Sequence, residues 1–259
     1  MSDDLVILDR HSDDYATCIL NRPSKRNALS MELMRQLCSQ VEAIEAENKI
    51  RVLVLRGAGG VFCAGGDLRE ALDPMHGVEF AKMIKRTLLT LYYAPVVTIA
   101  MVQGLAMGGG AGLVAACDFA VADEKARIGF PEVRRGLISA QVMSVLVRKL
   151  KRTDIHDLLL SGESVDARRA MQIGLFHRVG NMETETRKIV DQVLSGAPQA
   201  LTMTKRLLDQ LHPGSLRDDI EICMKKYLQA REGAEAQEGI RAFLEKRKPA
   251  WEKKARPSS

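Results

Sequence analysis

The chain has 259 residues, of which 46% are hydrophobic and 27% are charged, and its formal net charge is +5. These values are ordinary for a globular protein with one large domain, and no apolar run approaches the ~20 residues that span a bilayer. An aromatic content of only 4% argues against a nucleic-acid interface, which would interleave aromatic and basic side chains.

The first half of the chain alternates predicted strands and helices. Strands are predicted over the apolar runs 5–8, 15–20, 52–55 and 96–102. Between them, Ser30 is a typical N-cap for a helix whose apolar residues recur at helical spacing, and another helix is predicted over 78–91. Alternation of this kind indicates an α/β fold.

The second half turns from short strands to helices. Short strands are predicted over 119–122 and 127–130, followed by three helices over 142–150, 155–160 and 165–175. After residue 182 the pattern is wholly helical, with breaks at Pro198 and Pro213-Gly214. We therefore divide the chain into a core, 1–195, and a C-terminal helical region, 196–259. The apolar stripe of that region either packs on the core or contacts another subunit.

The spacing of the cysteines and histidines bears on whether the protein holds disulfides or a metal ion. The five cysteines show no CxxC pair and the five histidines show no ligand spacing, so we expect reduced thiols and no metal site. Cys63 lies beside a glycine-rich loop but has no nearby histidine, which favours buried packing over a nucleophilic role. The acidic start, Met1-Ser2-Asp3-Asp4, lacks the apolar segment of a secretory signal and predicts a cytoplasmic protein.

Two glycine-rich loops follow predicted strands. The first is Gly57-Ala-Gly-Gly-Val-Phe-Cys-Ala-Gly-Gly-Asp67, and the second runs from Gly104 to Gly112 and opens a helix-like segment. A helix start leaves free N–H groups at its positive end, so the two loops could aim two donors at one developing oxyanion. The alternatives are two ordinary turns or a phosphate loop, and the Gly-Lys-Ser/Thr ending of a phosphate loop is missing.

A carboxylate then follows Pro131, at Glu132. Together, Phe62-Cys-Ala-Gly-Gly-Asp67, the second loop, Ala116-Cys-Asp118 and Pro131-Glu132 resemble the crotonase, or enoyl-CoA hydratase/isomerase, superfamily in order and spacing. The resemblance extends from Asn21-Arg-Pro23 to residues 243–248. It implies a ClpP-like spiral of ββα units with a C-terminal helical oligomerisation region, assembled as a homotrimer or hexamer. It also implies an acyl-CoA thioester substrate, a setting in fatty acid metabolism, and no cofactor beyond the coenzyme A that enters with the substrate.

The resemblance assigns roles to particular residues. The backbone N–H groups of Gly66 and Gly109 are the implied oxyanion donors, and Glu132 is the implied proton-transfer group. The alternative for Glu132 is a surface carboxylate paired with Arg134 or Arg135. Substrate-binding roles are implied for Lys25, Arg26, Ala64, Asp67, Arg69, Gly112, Ser139, Phe243 and Lys246. Of these, Phe243 and Lys246 are expected from the C-terminal helix of a neighbouring subunit.

One position departs from the family pattern. Many hydratases of the family carry a second glutamate two residues beyond the glycine triplet, where this chain has Gly112. Bacterial methylglutaconyl-CoA hydratases look similar to this chain in that region. We expect an enoyl-CoA hydratase that adds water to a short or branched enoyl-CoA with one glutamate, Gly112 leaving volume for the acyl group and Ser139 or Gln141 holding the water. The alternatives are a Δ3,Δ2-enoyl-CoA isomerase that uses the same glutamate and a non-catalytic acyl-CoA-binding homologue.

Overall fold

The computed structural model describes residues 4–71, 73 and 75–252. The strands, in chain order, are β1 Val6–Arg10, β2 Tyr15–Leu20, β3 Val52–Gly57, β4 Val97–Val102, β5 Leu105–Met107, β6 Phe119–Ala122, β7 Arg127–Gly129, β8 Ser164–Asp166 and β9 Arg178–Val179. The helices are α1 Met31–Glu47, α2 Leu68–Ala71, α3 Gly77–Tyr92, α4 Gly109–Ala116, α5 Ala140–Leu146, α6 Arg152–Ser161, α7 Ala167–Gln172, α8 Met182–Leu194, α9 Pro198–Gln210, α10 Leu216–Arg231 and α11 Ala234–Leu244. Two 3₁₀ turns cover Pro23–Lys25 and Pro131–Arg135.

Two sheets organise these elements. The larger sheet has the order β1-β2-β3-β4-β6-β9, antiparallel between β1 and β2 and parallel elsewhere. The smaller sheet has the order β5-β7-β8. Because β5 and β7 run parallel, the residues that follow them, Gly108-Gly109 and Phe130 to Glu132, leave the same end of the small sheet. The mixed α/β architecture and the helical C-terminal region confirm the predicted fold class.

Helix α1 shows why the local predictions succeed. The Ser30 side chain accepts a hydrogen bond from the Leu33 N–H at 3.2 Å, which satisfies one of the free donors at the helix start. The buried face carries apolar residues at helical spacing, namely Leu33, Leu37, Val41 and Ile44. Capping and periodicity therefore agree on one helix, as predicted.

The helix predicted over 165–175 is wrong at its start. Residues 164–166 form β8, which pairs antiparallel with β7. The Asp166 side chain accepts a hydrogen bond from the Arg169 N–H at 2.8 Å and begins α7. The apolar Val165 belongs to a strand because long-range pairing with β7 overrides the helical periodicity around it. The short elements β5 and α2 were not predicted.

The C-terminal helices differ in how they meet the core. Leu216 and Ile220 of α10 are fully buried in the main hydrophobic cluster. Helix α9 packs Leu201 against the second hydrophobic cluster but leaves three other large apolar side chains exposed, namely Met203, Leu207 and Leu208. The division at residue 195 stays a prediction. Across the described ranges, every helix is too short or too polar to cross a membrane.

Candidate active site

The two glycine-rich loops run side by side. Cys63 and Ala106 form a parallel bridge, in which the Cys63 N–H donates to the Leu105 carbonyl and the Met107 N–H donates to the Cys63 carbonyl, each at 3.0 Å. Gly66 lies three residues after Cys63, and Gly109 lies three residues after Ala106. A Cβ built on Gly109 would lie 3.7 Å from the Gly66 nitrogen, so the two backbones are in contact there.

The N–H groups of Gly66 and Gly109 are both free to bind an oxygen. Gly66 pairs with Leu29, whose N–H donates to the Gly65 carbonyl at 2.8 Å, while the Asp67 N–H donates to the Leu29 carbonyl at 2.8 Å. In a parallel ladder this pattern turns the N–H of Gly66 away from Leu29. Gly109 is the first residue of α4, so its N–H has no acceptor within the helix. Among the described residues neither N–H has a hydrogen-bond acceptor, and the arrangement suits a developing oxyanion.

Glu132 lies directly beside this pair of donors. A Cβ on Gly108, the residue before Gly109, would come within 2.6 Å of Glu132 Oε1. The other carboxylate oxygen, Oε2, accepts a hydrogen bond from the Ser139 hydroxyl at 2.6 Å. Gly108 also has φ +51°, so a side chain there would be strained and would displace the carboxylate.

The surroundings of Glu132 perturb its charge. Burial raises the pKa of Glu132, while the Ser139 hydrogen bond and the Arg135 guanidinium oppose that rise by stabilising the carboxylate. Arg134 pairs with Glu163 instead. Among the described residues Glu132 has no ion-pair partner, so the alternative of a surface carboxylate paired with Arg134 or Arg135 does not describe it.

A cleft of about 670 Å³ opens in front of Glu132 and the glycine loops. The predicted site residues that line it are Lys25, Arg26, Ala64, Gly66, Asp67, Arg69, Glu132 and Phe243. Asp67 is held there by an ion pair with Arg22 at 2.7 Å. Within the described ranges, His, Cys, Asp and Glu side chains do not gather in threes at metal-binding distance. Cys63 is buried, and burial raises the pKa of its thiol to about 12, which makes it a poor nucleophile.

Comparison with known proteins decides the family. Residues 12–254 match the model of the Enoyl-CoA hydratase/isomerase family. The chain belongs to this family. It is 37% identical over 244 residues, 91% of this chain and 96% of the relative, to a Thermus thermophilus protein named "Putative enoyl-CoA hydratase". It is 30% identical over 248 residues to the human "Enoyl-CoA hydratase domain-containing protein 3, mitochondrial", covering 93% of this chain and 82% of that protein.

A solved structure agrees with the sequence relatives. An enoyl-CoA hydratase from Mycobacterium avium superposes with a TM-score of 0.86 at 33% identity, covering 96% of this chain and 99% of that one. Membership of the enoyl-CoA hydratase/isomerase family, and with it the crotonase fold, is thereby confirmed. The roles of individual site residues stay predictions.

Gly112 does not leave free volume in this family member. A Cβ at that position would lie 2.8 Å from Val142 Cγ2 and 3.3 Å from Leu88 Cδ2, because both side chains pack directly on the glycine. Gly112 is buried in α4 and is not among the residues that line the cleft. The expectation that Gly112 admits a branched acyl group is therefore wrong, since core side chains already occupy the space.

Two further expectations change. The Gln141 amide donates to the Ala81 carbonyl at 2.7 Å in the buried interior, so it is not placed to hold water at Glu132. Phe243 lines the cleft of its own chain, with the Arg135 guanidinium 4.3 Å from the centre of its ring, and a role at a neighbouring subunit stays a prediction. Lys246 is not among the lining residues, whereas Arg247 is.

Asn27 was not predicted, although it holds the first glycine-rich loop in place. Its side-chain oxygen accepts from the Arg22 N–H at 2.9 Å, and its amide donates to the carbonyls of Ala58 at 2.9 Å and Val61 at 2.7 Å. Asn27 is fully buried and has φ +55°. A left-handed asparagine whose side chain bonds carbonyls 31 and 34 residues away has no periodic or motif signal in one sequence.

The 3₁₀ turn Pro131–Arg135, here called the Glu132 turn, is supported by α11 of the same chain. Gly136 follows the turn, and a Cβ on it would clash with the Glu235 carbonyl. A Cβ on Gly239 would clash with the Arg135 carbonyl and would lie 2.7 Å from the Trp251 ring. Because neither glycine has a side chain, the backbone of α11 packs directly on the backbone of the Glu132 turn. Helix α11 thereby forms one wall of the cleft.

Proposed function

We propose that this chain is an enoyl-CoA hydratase that adds water across the 2,3 double bond of a short or branched enoyl-CoA. The observation that carries the proposal is the convergence of two free N–H groups, on Gly66 and Gly109, beside the Glu132 carboxylate. The thioester oxygen would accept from both N–H groups. Negative charge builds on that oxygen when a nucleophile attacks C3, and fixed donors stabilise this charge most in the transition state.

One carboxylate can complete the proposed proton balance. A water molecule attacks C3, and Glu132 takes the proton that the water loses as the new C–O bond forms. The resulting enolate is held by Gly66 and Gly109. Glu132 then returns the proton to C2, so one water has been added and the carboxylate is restored. Burial supports this double role because it raises the pKa of Glu132 toward the working pH, where a group both accepts and donates protons efficiently.

Coenzyme A is proposed to enter with the substrate, and no separate cofactor is needed for this chemistry. Lys25, Arg26 and Arg69 lie along the cleft near the first glycine-rich loop. Their charges suit the coenzyme A phosphates, which they would bind by charge-assisted hydrogen bonds. Main-chain groups near Ala64 would contact the adenine end.

A second candidate activity is Δ3,Δ2-enoyl-CoA isomerisation. The observation that favours it is the packing of Leu88 and Val142 on Gly112, which closes the position of a second glutamate. The other cleft carboxylates, Asp67 and Glu163, are paired with arginines. In isomerisation, Glu132 would remove one proton from C2 and return it to C4 as the double bond moves, without water.

The assembly and location are also proposals. Exposed apolar residues on α9, among them Met203 at 68% and Leu208 at 68% exposure, support a homotrimer or hexamer in which another subunit covers this helix. Sedimentation velocity would measure the mass. The Thermus relative is bacterial, which supports the cytoplasm, whereas the human relative is named mitochondrial.

The test compares two substrates and two variants. But-2-enoyl-CoA should lose its conjugated thioester absorbance and gain the mass of one water, whereas but-3-enoyl-CoA would gain that absorbance without a mass change if the chain is an isomerase. Glu132→Gln should lower the rate by about 10²–10⁴. Glu163→Gln is the matched control for a carboxylate that lines the same cleft. Turnover that survives Glu132→Gln would contradict the proposal, and binding without turnover in the wild type would indicate a non-catalytic acyl-CoA-binding homologue.

A further inference from the structure

Arg135 differs from the neighbouring arginines of the cleft. Arg134 pairs with Glu163. Arg247 pairs with Glu238 and with Glu245, at 2.7 Å in both cases. Among the described residues, the Arg135 guanidinium forms no ion pair and donates no hydrogen bond, and the Glu132 carboxylate acts on it only at longer range. Arg135 is therefore a half-buried cation of the cleft without a direct carboxylate partner in the part of the chain that the structure describes.

The position of this cation is fixed by its neighbours. Its guanidinium stacks on Phe243 at 4.3 Å, and the Arg135 backbone lies against Gly239 of α11. Burial lowers the pKa of Arg135, which reflects the cost of removing its charge from water. A partly desolvated cation held in one orientation gains most from an anion that reaches it.

Arg135 and Glu132 occupy one face of the same turn. In a 3₁₀-helix the side chains at positions i and i+3 eclipse each other, and these residues are three apart in Pro131–Arg135. An anion bound by Arg135 would therefore belong to a molecule whose reacting carbon lies at Glu132. The coenzyme A phosphates fit poorly, because the pantetheine arm separates them from the thioester that Gly66 and Gly109 would hold.

We propose that Arg135 binds a carboxylate carried by the acyl chain, so that the preferred substrates are enoyl thioesters with a second, free carboxylate. This inference rests on the proposed function, since it takes Glu132 and the two N–H groups as the reacting end of the site. Arg135 acts here as a specificity residue, and Phe243 is the surface on which its guanidinium is held.

The kinetic test uses 4-carboxybut-2-enoyl-CoA and pent-2-enoyl-CoA, which have the same chain length and differ in the terminal carboxylate. The wild type should favour the carboxylated substrate in kcat/KM. Arg135→Gln should lower the ratio of the two kcat/KM values by about 10- to 100-fold, the range for a hydrogen bond to a charged group. Arg135→Lys should retain part of the ratio. Arg134→Gln, the adjacent arginine that pairs with Glu163, should leave the ratio as in the wild type.

A binding measurement separates this inference from the proposed function. Calorimetry with the saturated ligands 4-carboxybutanoyl-CoA and pentanoyl-CoA needs no turnover. A wild-type preference for the carboxylated ligand that Arg135→Gln removes would support the inference even if neither enoyl substrate reacts, an outcome that overturns the hydratase proposal alone. Turnover of both enoyl substrates with no preference in binding or kcat/KM, or an equal loss for both in Arg135→Gln, would overturn the inference and leave the hydratase proposal standing.

Discussion

Ser139→Ala removes the side-chain hydrogen bond that the Ser139 hydroxyl donates to the Glu132 carboxylate. The Ser139 hydroxyl lies 2.6 Å from Glu132 Oε2 and lowers the pKa that burial raises. A hydrogen bond to a charged group contributes about 1.5–3 kcal/mol, and one pKa unit corresponds to about 1.36 kcal/mol. Removing the hydroxyl should therefore raise the pKa of Glu132 further, because the ionised carboxylate loses an interaction of that size. Although Ser139 precedes α5, its side chain makes no capping bond, so the helix start is unaffected.

The assay is kcat/KM for but-2-enoyl-CoA as a function of pH, which reports groups of the free enzyme. Because Glu132 begins the proposed cycle as a carboxylate, a raised pKa moves the acid limb of the profile to higher pH. Activity should recover at pH values above the new limb. Ser144→Ala is the control, since the Ser144 hydroxyl donates to the Gln141 carbonyl at 2.6 Å in the same helix and does not contact Glu132. An acid limb that stays in place, or a loss that is uniform across pH, would refute this reasoning.

Three other variants test the surrounding structure. Glu132→Gln should raise the free energy of unfolding in urea at pH 7, because a half-buried carboxylate with a raised pKa destabilises the folded state once it is ionised. This gain should vanish below about pH 4, where the acid is protonated in both states. A gain that persists there would contradict this account. Gly112→Ala should lower the free energy of unfolding by about 1–3 kcal/mol, because the new methyl group clashes with Val142. In the double variant Gly112→Ala/Val142→Ala the total loss should be smaller than the sum of the two single losses. Strictly additive losses in urea titrations would be inconsistent with the clash. Asn27→Ala should lower the free energy of unfolding by about 1–3 kcal/mol for each buried group left unpaired. It should also slow turnover, since the loop that Asn27 holds presents the Gly66 N–H. An unchanged rate would show that Asn27 has no part in placing that N–H group.

The sequence was most informative where chemistry is local. Ser30 and the apolar periodicity behind it predict α1 because capping and burial are both short-range properties of that segment. Likewise, two strand-to-glycine junctions predict free N–H groups, and the structure brings Gly66 and Gly109 into contact. Strand and helix-start geometry predicts only that the two loops can present donors, whereas the choice of Gly66 and Gly109 rests on the family resemblance.

The sequence was least informative where a distant segment decides the outcome. Nothing around Gly112 indicates that Val142 of α5 fills the space above it. The placement of Phe243 in its own chain's cleft depends on the path of α10 and α11, which local periodicity does not specify. Val165 sits in a helical pattern yet joins β8, because pairing with β7 is a long-range interaction.

The contact between Trp251 and Gly239 gives the protein an internal fluorophore at a useful place. Trp251 is the one tryptophan of the chain, so its emission comes from a single environment. Its ring packs where α11 meets the Glu132 turn, beside the wall that carries Phe243. A ligand that shifts α11 against this turn should change the polarity around the indole. The emission of Trp251 would then report occupancy of the cleft without a label and without turnover, including in variants that have lost all activity.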